Sequence, residues 1–438
     1  MHRIRALSLG CFLGFVPLWA FAQAPEREEW SFHGQATYVS QQKRAFSALY
    51  SGPNSLSTER AHSYSFTSTL FLGTRISEGG EFYVNPEAVQ GLPLSNLTGL
   101  GGLTNGELQK TSGSNLKAYW ARVFVRHTWG FGGGSEAVDP DVNQLAGAVD
   151  KRRLVLTAGK LGIMDVFDDN KYAHDPRADF FNWSLITSGA YDFAADSRGY
   201  SWGVALEWFD EGWAVRAGRF AQPKESNGLP IDFRIFAHYG DQVEFERSIA
   251  VGGRPGKVRL LAFRNVAIMG KFRDALAYAA ANGTTPDVAP VRKRNVKAGY
   301  VVNAEQEITD DLGAFAKWSW NDGRTETYAF AEIDRSVAIG VALNGKRIGR
   351  ERDVLGAAFV RNSLGSPHRD FLAAGGSGFF VGDGRITYRA EKIIDVYYNL
   401  ALAKAIALSL DYQHARNPGY NADRGPVNFY AVRCHVEF

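Results

Sequence analysis

From Tyr200 the chain runs Tyr-Ser-Trp-Gly-Val-Ala-Leu-Glu-Trp, so Tyr200, Trp202, Val204, Leu206 and Trp208 share one face and Ser201, Gly203, Ala205 and Glu207 the other. A period of two is the signature of an extended strand with one apolar face. Asp210-Glu211-Gly212 then turns the chain, and Trp213, Val215 and Ala217 resume the apolar face opposite Arg216 and Gly218, which reads as a hairpin. The same alternation recurs along the whole chain. Phe32, Gly34, Ala36 and Tyr38 oppose His33, Gln35 and Thr37, while Leu312 to Trp320 oppose Lys317, Ser319 and Asn321. Ile394, Val396, Tyr398 and Leu400 oppose Asp395, Tyr397 and Asn399, and Ile406 to Tyr412 oppose Ser409, Asp411 and Gln413.

A soluble β-sandwich also alternates, but its apolar face fills a core and its polar face meets solvent. Here aromatics gather at the ends of the apolar rows, as in the interfacial girdles of membrane barrels. The opposite rows carry the small and charged residues of a wet lumen. Beyond the N-terminal run the best apolar candidate for a spanning helix, Val396 to Leu410, is interrupted by Lys404. If the chain crosses a membrane it does so with strands, and lipid tolerates strands only as a closed barrel without unpaired edges. The last row, Tyr430, Val432, Cys434, Val436 and Phe438, ends on a terminal Phe like the closing strand of an outer-membrane barrel.

The first 22 residues have the order of a secretory signal: His2, Arg3 and Arg5, an apolar stretch from Ala6 to Phe21, and a small-residue site at Ala20-Phe21-Ala22. Cleavage is expected after Ala22, with Ala22-Gln23-Ala24 the less suitable site, leaving residues 23–438 as one barrel domain. Lys and Arg total 49 against 46 Asp and Glu, a balance that offers nucleic acid no attractive field. Cys11 falls in the signal and Cys434 is the other cysteine, so neither an internal disulfide nor a cysteine metal site is expected.

A mature chain of about 416 residues divided among sixteen strands gives about 26 residues per strand and connection, of which roughly 9 to 11 cross the hydrocarbon. Long loops must follow. Gly91 to Ser114, the Asp-rich Asp165 to Trp183, and Pro223 to Pro230 carry loop signals. Between Met269 and Asn282 the spacing of Met269, Phe272, Leu276 and Ala279 predicts a short amphipathic helix within a loop.

With the apolar rows in lipid, Arg122, Arg126, Glu207, Arg216, Glu244, Glu246, Glu305, Glu307, Lys317, Asp395, Asp411, Arg433 and Glu437 point inward. Both signs are present in similar number. Mixed charge offers donors and acceptors to neutral, hydroxyl-rich solutes without trapping one kind of ion, which points to sugars. Tyr172 and Trp183 are candidates to stack on a pyranose. Many of the inward charges are expected to satisfy one another and stiffen the wall.

Several segments resemble the carbohydrate-selective porins of Gram-negative outer membranes, the glucose-porin B type. They are His33 to Tyr38, Tyr50 to Leu56, Tyr83 to Glu87, Asn105 to Glu107, Asn143 to Gly147, Tyr172 to Arg177, and Asn417 to Asn421, in one order along nearly the entire mature chain. The resemblance implies a sixteen-stranded barrel with inward-folded loops, passive uptake of glucose-like mono- and small oligosaccharides across the outer membrane, and no cofactor. It also implies that the assembly machinery reads Phe438. The narrowest point is expected at Asp168, Asp169, Asn170, Tyr172, His174, Asp175, Arg177 and Trp183, together with Arg122 and Arg126. Glu207, Arg216, Asp395 and Asp411 complete the expected lumen lining.

Other chemistries have weaker support. Gly199-Tyr200-Ser201-Trp202-Gly203 matches the GxSxG pattern of serine hydrolases, but it lies inside a strand and leads into a hairpin, not a helix. An outer-membrane hydrolase with Ser201 as nucleophile, or a secreted β-sandwich that binds sugar, is the alternative function. Asp165, Asp168 and Asp169 offer oxygens to calcium without the spacing of an EF-hand, and His174 and His435 lack partners at zinc-ligand spacing.

Overall fold

The computed structural model describes residues 27–438; the expected signal and its cleavage site lie outside them. Eighteen strands follow one another. They are β1 (Trp30–Lys43), β2 (Ala61–Ser77), β3 (Gly80–Leu92), β4 (Lys117–Gly130), β5 (Ser135–Val138), β6 (Gly147–Asp150), β7 (Arg153–Gly162), β8 (Tyr200–Asp210) and β9 (Trp213–Ala221). Next come β10 (Tyr239–Val251), β11 (Arg254–Met269), β12 (Lys293–Glu307), β13 (Leu312–Asn321), β14 (Arg335–Gly345), β15 (Arg350–Ser363), β16 (Glu391–Ala401), β17 (Ile406–Arg416) and β18 (Val427–Glu437). All but β5 and β6 join one closed antiparallel barrel in sequence order, with β4 beside β7 and β18 beside β1; β5 and β6 pair only with each other. The sandwich alternative is thereby overturned, because every strand of the main sheet has two neighbours.

Closure is made by β1 and β18 in the register Tyr38 opposite Cys434 and Gln35 opposite Glu437. It ends on reciprocal backbone hydrogen bonds, each 3.0 Å, between Gly34 and Phe438. A Cβ on Gly34 would sit 2.5 Å from the Phe438 ring, so a larger residue there would displace that ring. The outward rows are apolar and exposed, among them Trp202, Val204, Leu206, Trp318, Ile339, Ile394, Leu410 and Val432. A barrel can expose such a band only to lipid.

One rim carries both chain ends and turns of two to four residues, such as those at 78–79, 211–212 and 252–253; the other carries eight long connections, at 44–60, 93–116, 163–199, 222–238, 270–292, 322–334, 364–390 and 417–426. The expected helix is present at Phe272–Asn282, ending on Gly283 at a φ of 66°. The lumen differs from the open wet tube that alternation suggested. Long loops fold into it and form apolar clusters with inward wall residues: Leu97, Leu103, Phe193, Phe330 and Phe380 join Tyr83, Phe124 and Phe263 in one, and Phe180, Phe181 and Leu185 join Phe315, Ile393 and Tyr397 in another. Lys110 ties four of these loops together. Its ammonium donates to Asn227 Oδ1 and to the Ala329 and Phe330 carbonyls at 2.6–2.7 Å, and lies 5.2 Å from the Phe380 ring centre.

Candidate functional site

The third long loop, 163–199, enters the barrel at the end of β7 and travels around the inner wall, held by several inward charges of the far wall. The Asp168 amide donates to Glu244 at 2.8 Å and the Lys171 amide to Glu305 at 2.8 Å. Asn170 donates to Asn303 Oδ1 at 2.7 Å. Lys317 Nζ donates to the carbonyls of Ala173, Leu185 and Ile186 at 2.7, 3.1 and 3.4 Å. Arg433 donates to the Pro176 and Asp179 carbonyls, and the Asn182 amide to Asp395.

These contacts sort the expected lining residues. Asp395 and Asp411 are buried beneath the loop, a correction to their placement in the lumen: at 0 % and 5 % exposure they serve Asn182 and Gln413. Asp168 and Asn170 are buried as well, Asp168 accepting from the amide and hydroxyl of Ser188. Arg216 is buried among Glu207, Glu244 and Glu246 at 2.9–3.2 Å, and Arg259 among Glu246, Glu305 and Asp169 at 2.8–3.1 Å. Trp183 is packed, its ring stacked on Phe330 at 5.6 Å and its indole N–H donating to the Asn105 carbonyl. Tyr172 lies at the turn side against Gly313, beside Glu307, outside the cavity that the arginines line.

The space left open lies against the opposite wall. A cavity of about 1180 Å³ is lined by Gln35, Glu81, Arg122, Arg126, Asp165, His174, Asp175, Arg177 and Glu207, so six of the expected residues, the weak calcium candidate Asp165 apart, do converge. At its loop-side end Arg122 grips Asp165 with two hydrogen bonds of 2.6 Å, a forked pair. Burial pushes the Asp165 carboxyl up, but the Arg122 charge and hydrogen bonds outweigh it and leave the group below the ordinary carboxylate value. Arg177 reaches Glu107 at 3.1 Å and Glu87 at 3.7 Å, with the Gln35 carboxamide 2.9–3.2 Å from its nitrogens.

Behind the arginines sits a layer that sequence periodicity missed. Glu87 accepts from Thr69, Gln109 and Tyr119, and lies 3.4 Å from the Tyr200 hydroxyl. Tyr119 and Tyr200 have ring centres 6.2 Å apart; Arg122 lies 5.1 Å from the Tyr200 ring and Arg198 4.0 Å from that of Tyr119. Tyr119 falls off the alternating inward row because the β3–β4 register shifts between Asn85 and Pro86, so that Glu87 pairs with Tyr119 while Asn85 pairs with Arg122. The bulge brings Tyr119 and Arg122 to the same face three residues apart. Its signal is legible: a proline inside a strand pattern marks an edge or a bulge. Tyr200, assigned to the lipid row by parity, is corrected to the inside; it starts β8 directly after Gly199, whose φ of 96° re-aims the chain.

The carboxylates Glu87 and Glu107 are buried, whereas Arg122, Arg177, Lys160 and Arg198 are partly exposed. The acceptors therefore position the donors, and the lumen meets a donor-rich edge with half-buried Tyr119 beside it and Tyr200 buried behind. Asp165, Asp168 and Asp169 each have a separate partner, in Arg122, Ser188 and Arg259, and among the described residues no three His, Cys, Asp or Glu side chains gather as a metal site. Ser201 is fully buried and donates its hydroxyl to the Ala221 carbonyl at 2.6 Å, the opposite of an exposed nucleophile.

Comparison with known proteins agrees with this architecture. OprB of Pseudomonas putida in its high-pH structure superposes with a TM-score of 0.71 at 16% identity, covering 94% of each chain. Its low-pH structure gives 0.50 at 12% identity over 94% of this chain and 93% of that one, and the outer membrane channel DcaP of Acinetobacter baumannii gives 0.50 at 9% over 93% and 97%. A search of curated protein sequences finds no significant match. The family model described as carbohydrate-selective porin, OprB family, matches residues 54–438. With a closed sixteen-strand barrel, an exposed apolar band and a family match over most of its length, the chain belongs to the OprB family of carbohydrate-selective porins of the outer membrane.

Proposed function

We propose that glucose-like monosaccharides and small oligosaccharides cross passively to the periplasm through the space between the 163–199 loop and the wall formed by β1–β4, β7 and β8. The observation that carries this reading is the division of labour at the arginine edge. Arg122 and Arg177 are fixed by buried or paired carboxylates, so their orientation is set before a solute arrives, and their remaining N–H groups can donate to sugar hydroxyls. Tyr119, half-buried beside them, suits the apolar face of a pyranose. His174 and Asp175 extend the lining toward the turn rim. Each contact replaces one that water makes equally well, so the solute is ordered without being trapped, as conduction requires.

In the same reading, lipid covers the outward apolar band and the assembly machinery recognises the strand ending at Phe438. Planar-bilayer recording tests the transport claim. Pores whose current falls as glucose is added, with liposomes swelling faster in glucose than in a charged solute of equal size, are the expected result; absence of pores in both assays overturns it.

A further inference from the structure

The rim that carries the short turns has one exception. Between β4 and β7 the chain runs through residues 131–152, and the β5–β6 hairpin built there pairs with no barrel strand. Three successive glycines, Gly132, Gly133 and Gly134, have φ of 77°, 81° and 89°, a run only glycine adopts without strain, and they turn the hairpin back toward the lumen. Its tip is fastened to inward side chains of the wall. Arg126 Nη1 donates to the Asn143 carbonyl at 2.8 Å, Asn85 Nδ2 to Asn143 Oδ1 at 2.9 Å, and Arg75 Nη2 to the Ala146 carbonyl at 2.9 Å. Glu28 closes the anchor by exchanging backbone and carboxylate hydrogen bonds with Ala146. Leu145 is buried in the same apolar cluster as Tyr83 and Phe124.

The height of the tip matters. Asn85 is five residues beyond the start of β3, about 16 Å along a strand, and its partner across the β3–β4 register is Arg122. The hairpin therefore rises from the turn rim to just beneath the arginine edge. Asp141, Val142, Asn143 and Gln144 line the 1180 Å³ cavity on one side, facing the His174 to Arg177 segment on the other. The hairpin contains Glu136, Asp139, Asp141 and Asp150 and no Lys or Arg. Glu136 pairs with Arg153, whereas Asp139 and Asp141 at the tip take part in no ion pair among the described residues.

We propose that this hairpin is a second filter in series with the arginine edge: a sill on the turn side that limits the size of the solute leaving the cavity and repels anions that the arginines admit. Neutral polyhydroxy solutes pass both elements, meeting donors at the first and acceptors at the second, while sugar acids meet unpaired carboxylates at the exit. Arg126 is a positioning residue of the sill, in contrast to Arg122, which faces the solute beside Tyr200.

The inference rests on the channel reading, so the wild-type protein is recorded in the same bilayers. Excising residues 136–149 and rejoining the chain through the glycines should raise single-channel conductance by about twofold, the outcome when one of two comparable constrictions in series is removed. The variant should admit an oligosaccharide that the wild type excludes in liposome swelling, with the glucose concentration for half-block unchanged. Arg126→Ala should shift the size limit in the same direction and Arg126→Lys less. Should the excised barrel fail to fold, Val142→Cys in a Cys434→Ser background replaces it: an anionic thiol reagent should lower the current stepwise, and glucose should slow the modification. Asp139→Asn with Asp141→Asn should increase permeability to a sugar acid relative to glucose. Wild-type pores blocked by glucose, together with unaltered conductance and size limit on excision or no current change on Val142→Cys modification, overturn the sill alone. Absence of wild-type pores overturns both readings.

Discussion

Lys317→Met is the substitution that most directly separates the barrel from the loop that narrows it. Lys317 sits on β13 at 3 % exposure and donates to three carbonyls of the 163–199 loop. Methionine keeps the chain length and removes all three donors. A buried carbonyl left without a partner costs about 1–3 kcal/mol. Water entering beside the turn-side cavity restores part of this, so we take one unrecovered carbonyl, about 1–3 kcal/mol, as the net weakening of the loop's attachment. That corresponds to roughly a 5- to 150-fold larger population of loop-detached channels. The barrel ladder itself does not involve the Lys317 side chain, so heat-modifiable mobility on gels should be retained. Single-channel recording should show new transitions to a higher conductance, and trypsin should cut folded protein at Lys171, whose side chain is already exposed, faster than in the wild type. Lys317→Arg, which keeps donors in place, should lie between the two. Quiet channels of unchanged conductance with unchanged proteolysis would refute the role assigned to Lys317.

Three further outcomes follow from the site and the barrel wall. Arg122→Ala and Asp165→Ala should each weaken glucose block, and the double variant should be less impaired than the sum, since each single change leaves the other partner of a 2.6 Å forked pair unpaired; additive effects in the double-mutant cycle would contradict the pairing. Asp165 and Asp192 both end below the ordinary carboxylate value of 3.8: burial raises each, but Arg122 draws the first down, and Lys297 with three backbone N–H groups the second. Their contribution is present above that value and lost only as pH falls through the lower folded values, so the loss of glucose block caused by Asp165→Asn should be the same from pH 8 to pH 5 and shrink below about pH 4; a midpoint near neutrality for that difference would count against it. Cys434 shares the outward row with Val432 and Val436, so it should resist a membrane-impermeant thiol reagent in detergent-free vesicles and react with a lipid-soluble one.

How far the sequence carries can be judged residue by residue. The rows through Trp202, Trp318 and Val432 were readable because a single energetic demand, lipid outside, acts on every second position, and the barrel followed from them. The inward rows carry two demands that leave the same mark. Arg122 and Arg177 meet the cavity, whereas Lys317, Asp395 and Arg216 are inward because a loop 131 to 213 residues distant in sequence, or a neighbouring strand, must be held. Polar side chains at period two do not distinguish water from a buried carbonyl. Tyr119 was hidden by one extra residue opposite Pro86, and the sill at 135–150 by its position on the rim where turns are otherwise short.

The loop that shapes the passage is emitted early in the chain, yet Asn182 is secured by Asp395 and Gln413, and Pro176 and Asp179 by Arg433, more than 200 positions later. Its resting place is incomplete until β16 to β18 are in position and β18 closes on β1. Chain entropy must be surrendered for these distant contacts before any of them stabilises the loop. The last ties on this loop are thus set only when the final strands are in place, and a chain lacking its closing strand would lack the grip of Arg433 on Pro176 and Asp179.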